Sequence, residues 1–243
     1  MKVTTETLKD ELNDVIQKIK NDGFEFGKYD KEKEYKGIGG IDNLFGNHEY
    51  LNESPKSIEI SNEDCVFMHH DDIFDRLGCY KKQEGVNKEG KIILYKKCIE
   101  SFGTRFFEGN RHLAPFTSLT DCINMVYKIV LYHEFGHWIT HWMSDSKGNR
   151  WNDTFWNLKP NPNANDLIEG LAQLFTYYAI LNDRDVKKLK FLFEFMLLGQ
   201  SAPYHKHIEI IKHPKFSWDN SFKALEKVRL TPPYEFQTYL NFF

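Results

Sequence analysis

Residues 122 to 143, CINMVYKIVLYHEFGHWITHWM, constrain the fold of this chain more than any other stretch. Their apolar residues do not keep to one stripe but lie nearly all round a helix, so that helix must be enclosed by other elements. SLTD stands just before it, and Ser118 with Asp121 has the form of a capping box that marks the start. The periodicity predicts a helix over about 119 to 145. Three polar groups, His133, Glu134 and His137, fall in its middle. An unpaired carboxylate in such surroundings costs on the order of several kcal/mol, so these groups need partners.

The spacing suggests what the partner is. At about 100° per residue, His137 lies about 40° round from His133 and one turn further along, so both imidazoles can reach one ion. Glu134 lies about 100° round, beside the pair, where its carboxylate can touch a metal-bound water instead of the metal. The order H-E-x-x-H is a metalloprotease pattern for that reason. The alternative is a pair of core histidines bonded to carbonyls with a solvated glutamate between them, and the chain's 10 His make a chance match a real competitor. The apolar surroundings weigh against it, because a solvated glutamate has no place there. Gly136, inside the motif, costs about 1 kcal/mol relative to Ala in a helix and signals a close approach on that face.

A catalytic zinc site takes a third protein ligand and keeps a position open. NDLIEGLAQLF, residues 165 to 175, offers Glu169 in a helix predicted over about 166 to 182, and Gly170 and Ala172 would let that helix pack closely. Two other readings compete. Asp166 and Glu169 fit a D-x-x-E cap, in which the glutamate only ties down a helix start. His141 could be the third ligand, but it stands two turns from His133, a rise of about 12 Å that one tetrahedral ion cannot bridge. Cys79 or Cys98 would supply a sulfur ligand, although neither stands in a short glycine-flanked motif.

Around this centre the chain divides into a strand-bearing part over 1–117 and a helical part over 118–243, read together as one domain of the α+β class. Leu8, Leu12, Val15, Ile16 and Ile19 recur at helical spacing, with Gly23 as a stop. SIEIS, CVFMHH, LGCYKK and KIILYKK predict a small antiparallel sheet with a hairpin at QEGVNKEG. Further helices are expected at about 184 to 198, 204 to 212 and 219 to 229, with a short one in PPYEFQTYLNF. Hydrophobic residues at 41% and aromatics at 15% supply a sizeable core. A formal charge of -3 gives no surplus for nucleic acid or an anionic membrane. With no secretion signal or membrane span visible, and with Cys65, Cys79, Cys98 and Cys122 irregularly spaced, the expectation is a cytoplasmic protein with free thiols.

HEFGH followed by EGLAQ resembles the gluzincin group of zinc metallopeptidases, over about residues 91 to 175. The resemblance implies zinc held by His133, His137 and Glu169, with Glu134 as general base and proton shuttle. It implies a zincin-like fold, in which a mixed sheet precedes the active-site helix and its edge strand aligns the substrate backbone; KIILY is the candidate edge. Such enzymes recruit a tyrosine or histidine downstream to stabilise the oxyanion. SAPYHKH offers Tyr204 first, then His205 and His207, with Tyr234 behind them. Thermolysin-like members carry an aspartate four residues after the glutamate, where this chain has Gln173, whose amide oxygen can accept an imidazole N–H. The substrate implied is a peptide or protein, with nucleic acid and membrane left out and the oligomeric state open. A non-catalytic zinc-binding interaction protein and a zinc hydrolase of a non-peptide amide are the alternatives.

Overall fold

A computed structural model of the protein describes residues 3–22, 55, 57–63, 72–81, 90–112, 115–142, 162–228 and 231–243. The first helix, α1 (Thr5–Asn21), starts at Thr4, whose hydroxyl accepts from the Thr7 N–H while the Thr7 hydroxyl accepts from the Thr4 N–H. Its buried face is the one predicted: Leu8, Leu12, Val15, Ile16 and Ile19. Gly23 lies outside the described residues.

Three short strands follow, β1 (Ile58–Ser61), β2 (Gly78–Lys81) and β3 (Lys91–Tyr95), with a five-residue helix α2 (Ile73–Leu77) leading into β2. The order is β1-β3-β2, with β2 antiparallel to β3 and β1 parallel to it. The sheet is therefore mixed, and KIILY is its central strand, not the expected edge. Ile92 and Leu94 are fully buried on one face of it, while Lys91, Ile93 and Tyr95 on the other are half-buried. CVFMHH and QEGVNKEG fall outside the described residues, Gly90 excepted.

The remaining helices are α3 (Lys96–Asn110), α4 (Leu119–Trp142), α5 (Pro162–Asn182), α6 (Val186–Leu197), a 3-10 turn (Ala202–His205), α7 (Lys206–Ile211), α8 (Trp218–Val228) and α9 (Phe236–Leu240). The described part is mostly helical with one small mixed sheet. None of its helices is long and apolar enough to cross a membrane.

α4 is the axis of the core: every residue from Met125 to His141 is buried. The sheet, α1, α3, α5 and α6 pack around it, as its all-round apolar surface requires. Its start is half of a capping box, with the Asp121 N–H on the Ser118 hydroxyl at 3.1 Å, while the Asp121 carboxylate reaches back to Thr117. The charge buried beside it is paired. Lys128 reaches Glu11 of α1 at 3.0 Å and Asp183 beyond α5 at 2.9 Å, and the Tyr132 hydroxyl donates to the same Asp183 oxygen at 2.6 Å.

Two expectations are corrected here. Cys98 is disulfide-bonded, while Cys79 and Cys122 are free and Cys65 lies outside the described residues. Irregular spacing in sequence says nothing about which sulfurs meet in space, and the thiol argument for a reducing compartment does not hold for Cys98. In addition, α5 begins at Pro162, a residue well suited to the first helical position. Glu169 thus stands two turns inside the helix and does not cap it.

Candidate metal centre

Helices α4 and α5 touch backbone to backbone where the site is built. A Cβ placed on Gly136 would lie 2.7 Å from the Ala172 carbonyl oxygen and 2.8 Å from its Cα. What approaches this glycine is the neighbouring helix. Gly170, expected to help in the same contact, faces away, its hydrogen side filled by the Lys206 Cβ of α7 at 2.7 Å.

This approach sets Glu169 against the two histidines. His133 Nε2 and His137 Nε2 are 3.2 Å apart, and Glu169 Oε2 is 3.4 Å from each. A tetrahedral ion about 2.1 Å from three nitrogen or oxygen donors sets those donors about 3.4 Å apart. The triangle therefore matches zinc in size and in donor type. His133, His137 and Glu169 also form the one His/Cys/Asp/Glu group among the described residues whose ligand atoms all lie within 4.8 Å of one another. The site fits the metal that the sequence motif implies.

Charge at the centre follows from burial and proximity. Burial holds the His133 imidazole below its ordinary range. Burial alone would do the same to His137, but the Glu169 carboxylate outweighs it and pushes that imidazole up to about 9. Glu169 would itself be raised by burial, yet His137 and His133 hold it well below the usual carboxylate range. Glu134 stands outside the triangle. Burial pushes its carboxyl up to about 8, while the Tyr80 backbone N–H donates to it and pulls the other way. Glu134 thus stands beside the three donors without being one of them.

Tyr204 is brought to this centre. Its ring stacks on the His133 imidazole at 5.6 Å and on Phe74 at 5.9 Å, and its hydroxyl donates to Asp75 Oδ1 at 2.8 Å. Burial, then the Glu169 carboxylate, raises Asp75 above its ordinary range. Asp75 was not foreseen. It comes from α2, a single turn too short to show any periodicity, and that turn is clasped to the chain before Tyr204 by Asp72, which accepts from the Ser201 N–H at 2.8 Å and hydroxyl at 3.1 Å.

The other candidates go elsewhere. His205 Nε2 is 3.3 Å from the Gln200 carbonyl oxygen, within its own turn. His207 Nδ1 donates to the Tyr204 carbonyl oxygen at 2.9 Å, and its ring packs against Phe193 and Tyr177. Tyr234 sits between α8 and α9 with φ 55°. His141 is paired with the Tyr80 hydroxyl at 2.8 Å. Cys79 contacts the Tyr95 hydroxyl at 3.2 Å, and burial raises its thiol, so it does not supply a ready thiolate. Gln173, whose amide oxygen can accept an imidazole N–H, is fully buried and makes no side-chain hydrogen bond to a described residue.

Compared with protein-family models, curated proteins and solved structures, the chain matches none.

Proposed function

We propose that the protein is a zinc-dependent metallopeptidase of the gluzincin type, with a zincin-like arrangement of sheet and active-site helix. The observation that supports this best is the donor triangle with a buried glutamate beside it and outside it. His133, His137 and Glu169 would hold the ion. Zinc, when bound, supplies Lewis acidity and lowers the pKa of a water that it holds.

The chain's own groups do the rest. Glu134 takes the proton of the attacking water and returns it to the leaving amine, which needs one carboxylate near both atoms and free of the ligand set. Tyr204 donates its O–H to the carbonyl oxygen as charge develops there, turning its hydroxyl from Asp75 to do so. β2, at the sheet's edge among the described strands and packed on α4, takes the substrate-aligning role in place of the central KIILY strand.

The test is elemental analysis of the purified protein and its Glu134→Gln variant, followed by digestion of a mixed peptide library. The expected result is about one zinc per chain in both proteins and cleavage by the parent that falls on the order of 10²-fold or more in the variant. A fourth side chain closing the coordination shell would instead mark a structural zinc in an interaction protein. Cleavage of acylated small molecules with no cleavage of peptides would make the protein an amide hydrolase of another kind.

A further inference from the structure

We infer that Tyr80 staples the edge strand to the active-site helix and thereby positions Glu134, its main-chain N–H holding the Glu134 carboxylate and its phenol tied to His141. The inference rests on Glu134 being the base of the proposed reaction. Glu134 and His141 are seven residues apart on α4, so they face about the same way, separated by about 10 Å along the axis. Tyr80 engages both. Its backbone N–H donates to the Glu134 carboxylate, and its hydroxyl stands 2.8 Å from His141 Nδ1, with the two rings edge to face at 5.6 Å.

The neighbouring residues are shaped to this arrangement. At Gly78, two positions before Tyr80, a Cβ would lie 2.6 Å from Val130 Cγ1 and 3.3 Å from Glu134 Cγ, so only glycine lets the strand come this close to α4. At Gly90 a Cβ would collide with the Tyr80 phenol itself. β2 is four residues long and paired to β3 on one side, with no other described strand beyond it. A short edge strand drifts unless something else fixes it, and a glutamate has three side-chain torsions to settle. The phenol–imidazole contact fixes the strand, and the strand's N–H fixes the carboxylate. His141 thus acts as a positioning residue two turns from the first histidine, with no need to reach the metal.

The experiment compares the parent with Tyr80→Phe, His141→Asn, His141→Phe and Glu134→Ala. The first readout is hydrogen exchange at the Tyr80 amide in the zinc-loaded proteins, which requires no turnover. Exchange is expected to quicken about tenfold or more in Tyr80→Phe, His141→Phe and Glu134→Ala, and to stay near the parent rate in His141→Asn, which keeps a hydrogen-bonding atom where Nδ1 stood. The second readout is kinetic. For a peptide that the parent cleaves, Tyr80→Phe lowers kcat on the order of tenfold with KM and zinc affinity within about twofold, since a small misplacement of the base slows the chemical step alone. Unchanged exchange at the Tyr80 amide in Tyr80→Phe overturns the staple, whatever the activity. So does a kcat equal to the parent's. If the parent cleaves no peptide while exchange responds as described, the staple stands and the peptidase reading falls.

Discussion

At the scale of single residues, Glu169 separates the metal reading from the structural one. It is two turns inside α5, and its Oε2 is 3.4 Å from both imidazoles. Glu169→Gln keeps the shape and removes the charge. Zinc affinity is expected to fall by more than the ~10–100-fold typical of losing an outer-shell partner, because a direct donor is replaced by a neutral amide. Zinc titration against a chelator of known affinity checks this, and affinity equal to the parent's would remove Glu169 from the site. Tyr204 makes a different prediction. It touches the ring of His133 but supplies none of the triangle's atoms, so Tyr204→Phe leaves zinc bound and lowers kcat by roughly 10²–10³-fold, the usual loss for one oxyanion donor. Steady-state kinetics with metal analysis of the same sample decide it.

At the scale of elements, the contact between α4 and α5 governs the site. Gly136 and Ala172 let the two backbones meet, and Glu169 reaches the histidines only because they do. Gly136→Ala places a methyl group 2.7–2.8 Å from backbone atoms that cannot swing aside. The expected result is a loss of about 1–3 kcal/mol in stability, as for overpacking elsewhere, together with weaker zinc binding as α5 moves off. Denaturant unfolding and zinc titration of the variant measure the two effects. Unchanged values in both would mean that the helices have room to spare. Helix α3 shows the same rule from another side. Its Gly103, within KKCIESFGTRFFEGN, lies where a Cβ would be 2.8 Å from Ile123 Cγ1 of α4. The glycine lets this helix pack closely on α4.

For the molecule as a whole, one contribution to acid sensitivity is expected from a buried imidazole away from the donor triangle. His207 is enclosed by Phe193, Tyr177 and the Tyr204 carbonyl, and burial lowers its pKa from 6.5 to about 4. The neutral form is the one that folds. Its contribution is therefore complete above pH 6.5, and it is lost as pH falls from 6.5 toward 4, where the unfolded chain binds a proton that the folded one refuses. The loss amounts to about 3 kcal/mol over that window. His207→Asn keeps a donor for the Tyr204 carbonyl and does not titrate, so its stability should fall less than the parent's between pH 7 and pH 4. Urea midpoints at both pH values test this, and parallel falls would assign the acid sensitivity to other groups.

The amino-acid sequence by itself determined those features that repeat along one element. The enclosed helix α4, the buried stripe of α1, the approximate spans of α5, α6 and α8, and the candidate donors His133 and His137 are legible because periodicity and i,i+4 spacing are local properties, whereas Glu169 is singled out as a donor only by the family resemblance. Tertiary structure alone decided which strand lies at the sheet edge, that Cys98 is bonded, that Asp75 receives the Tyr204 hydroxyl and that His141 serves Tyr80. Each of these is a meeting of residues far apart in the chain, 61 positions for Tyr80 and His141 and 129 for Asp75 and Tyr204. Such meetings are selected by how whole helices and strands pack, and no local pattern of side chains records them.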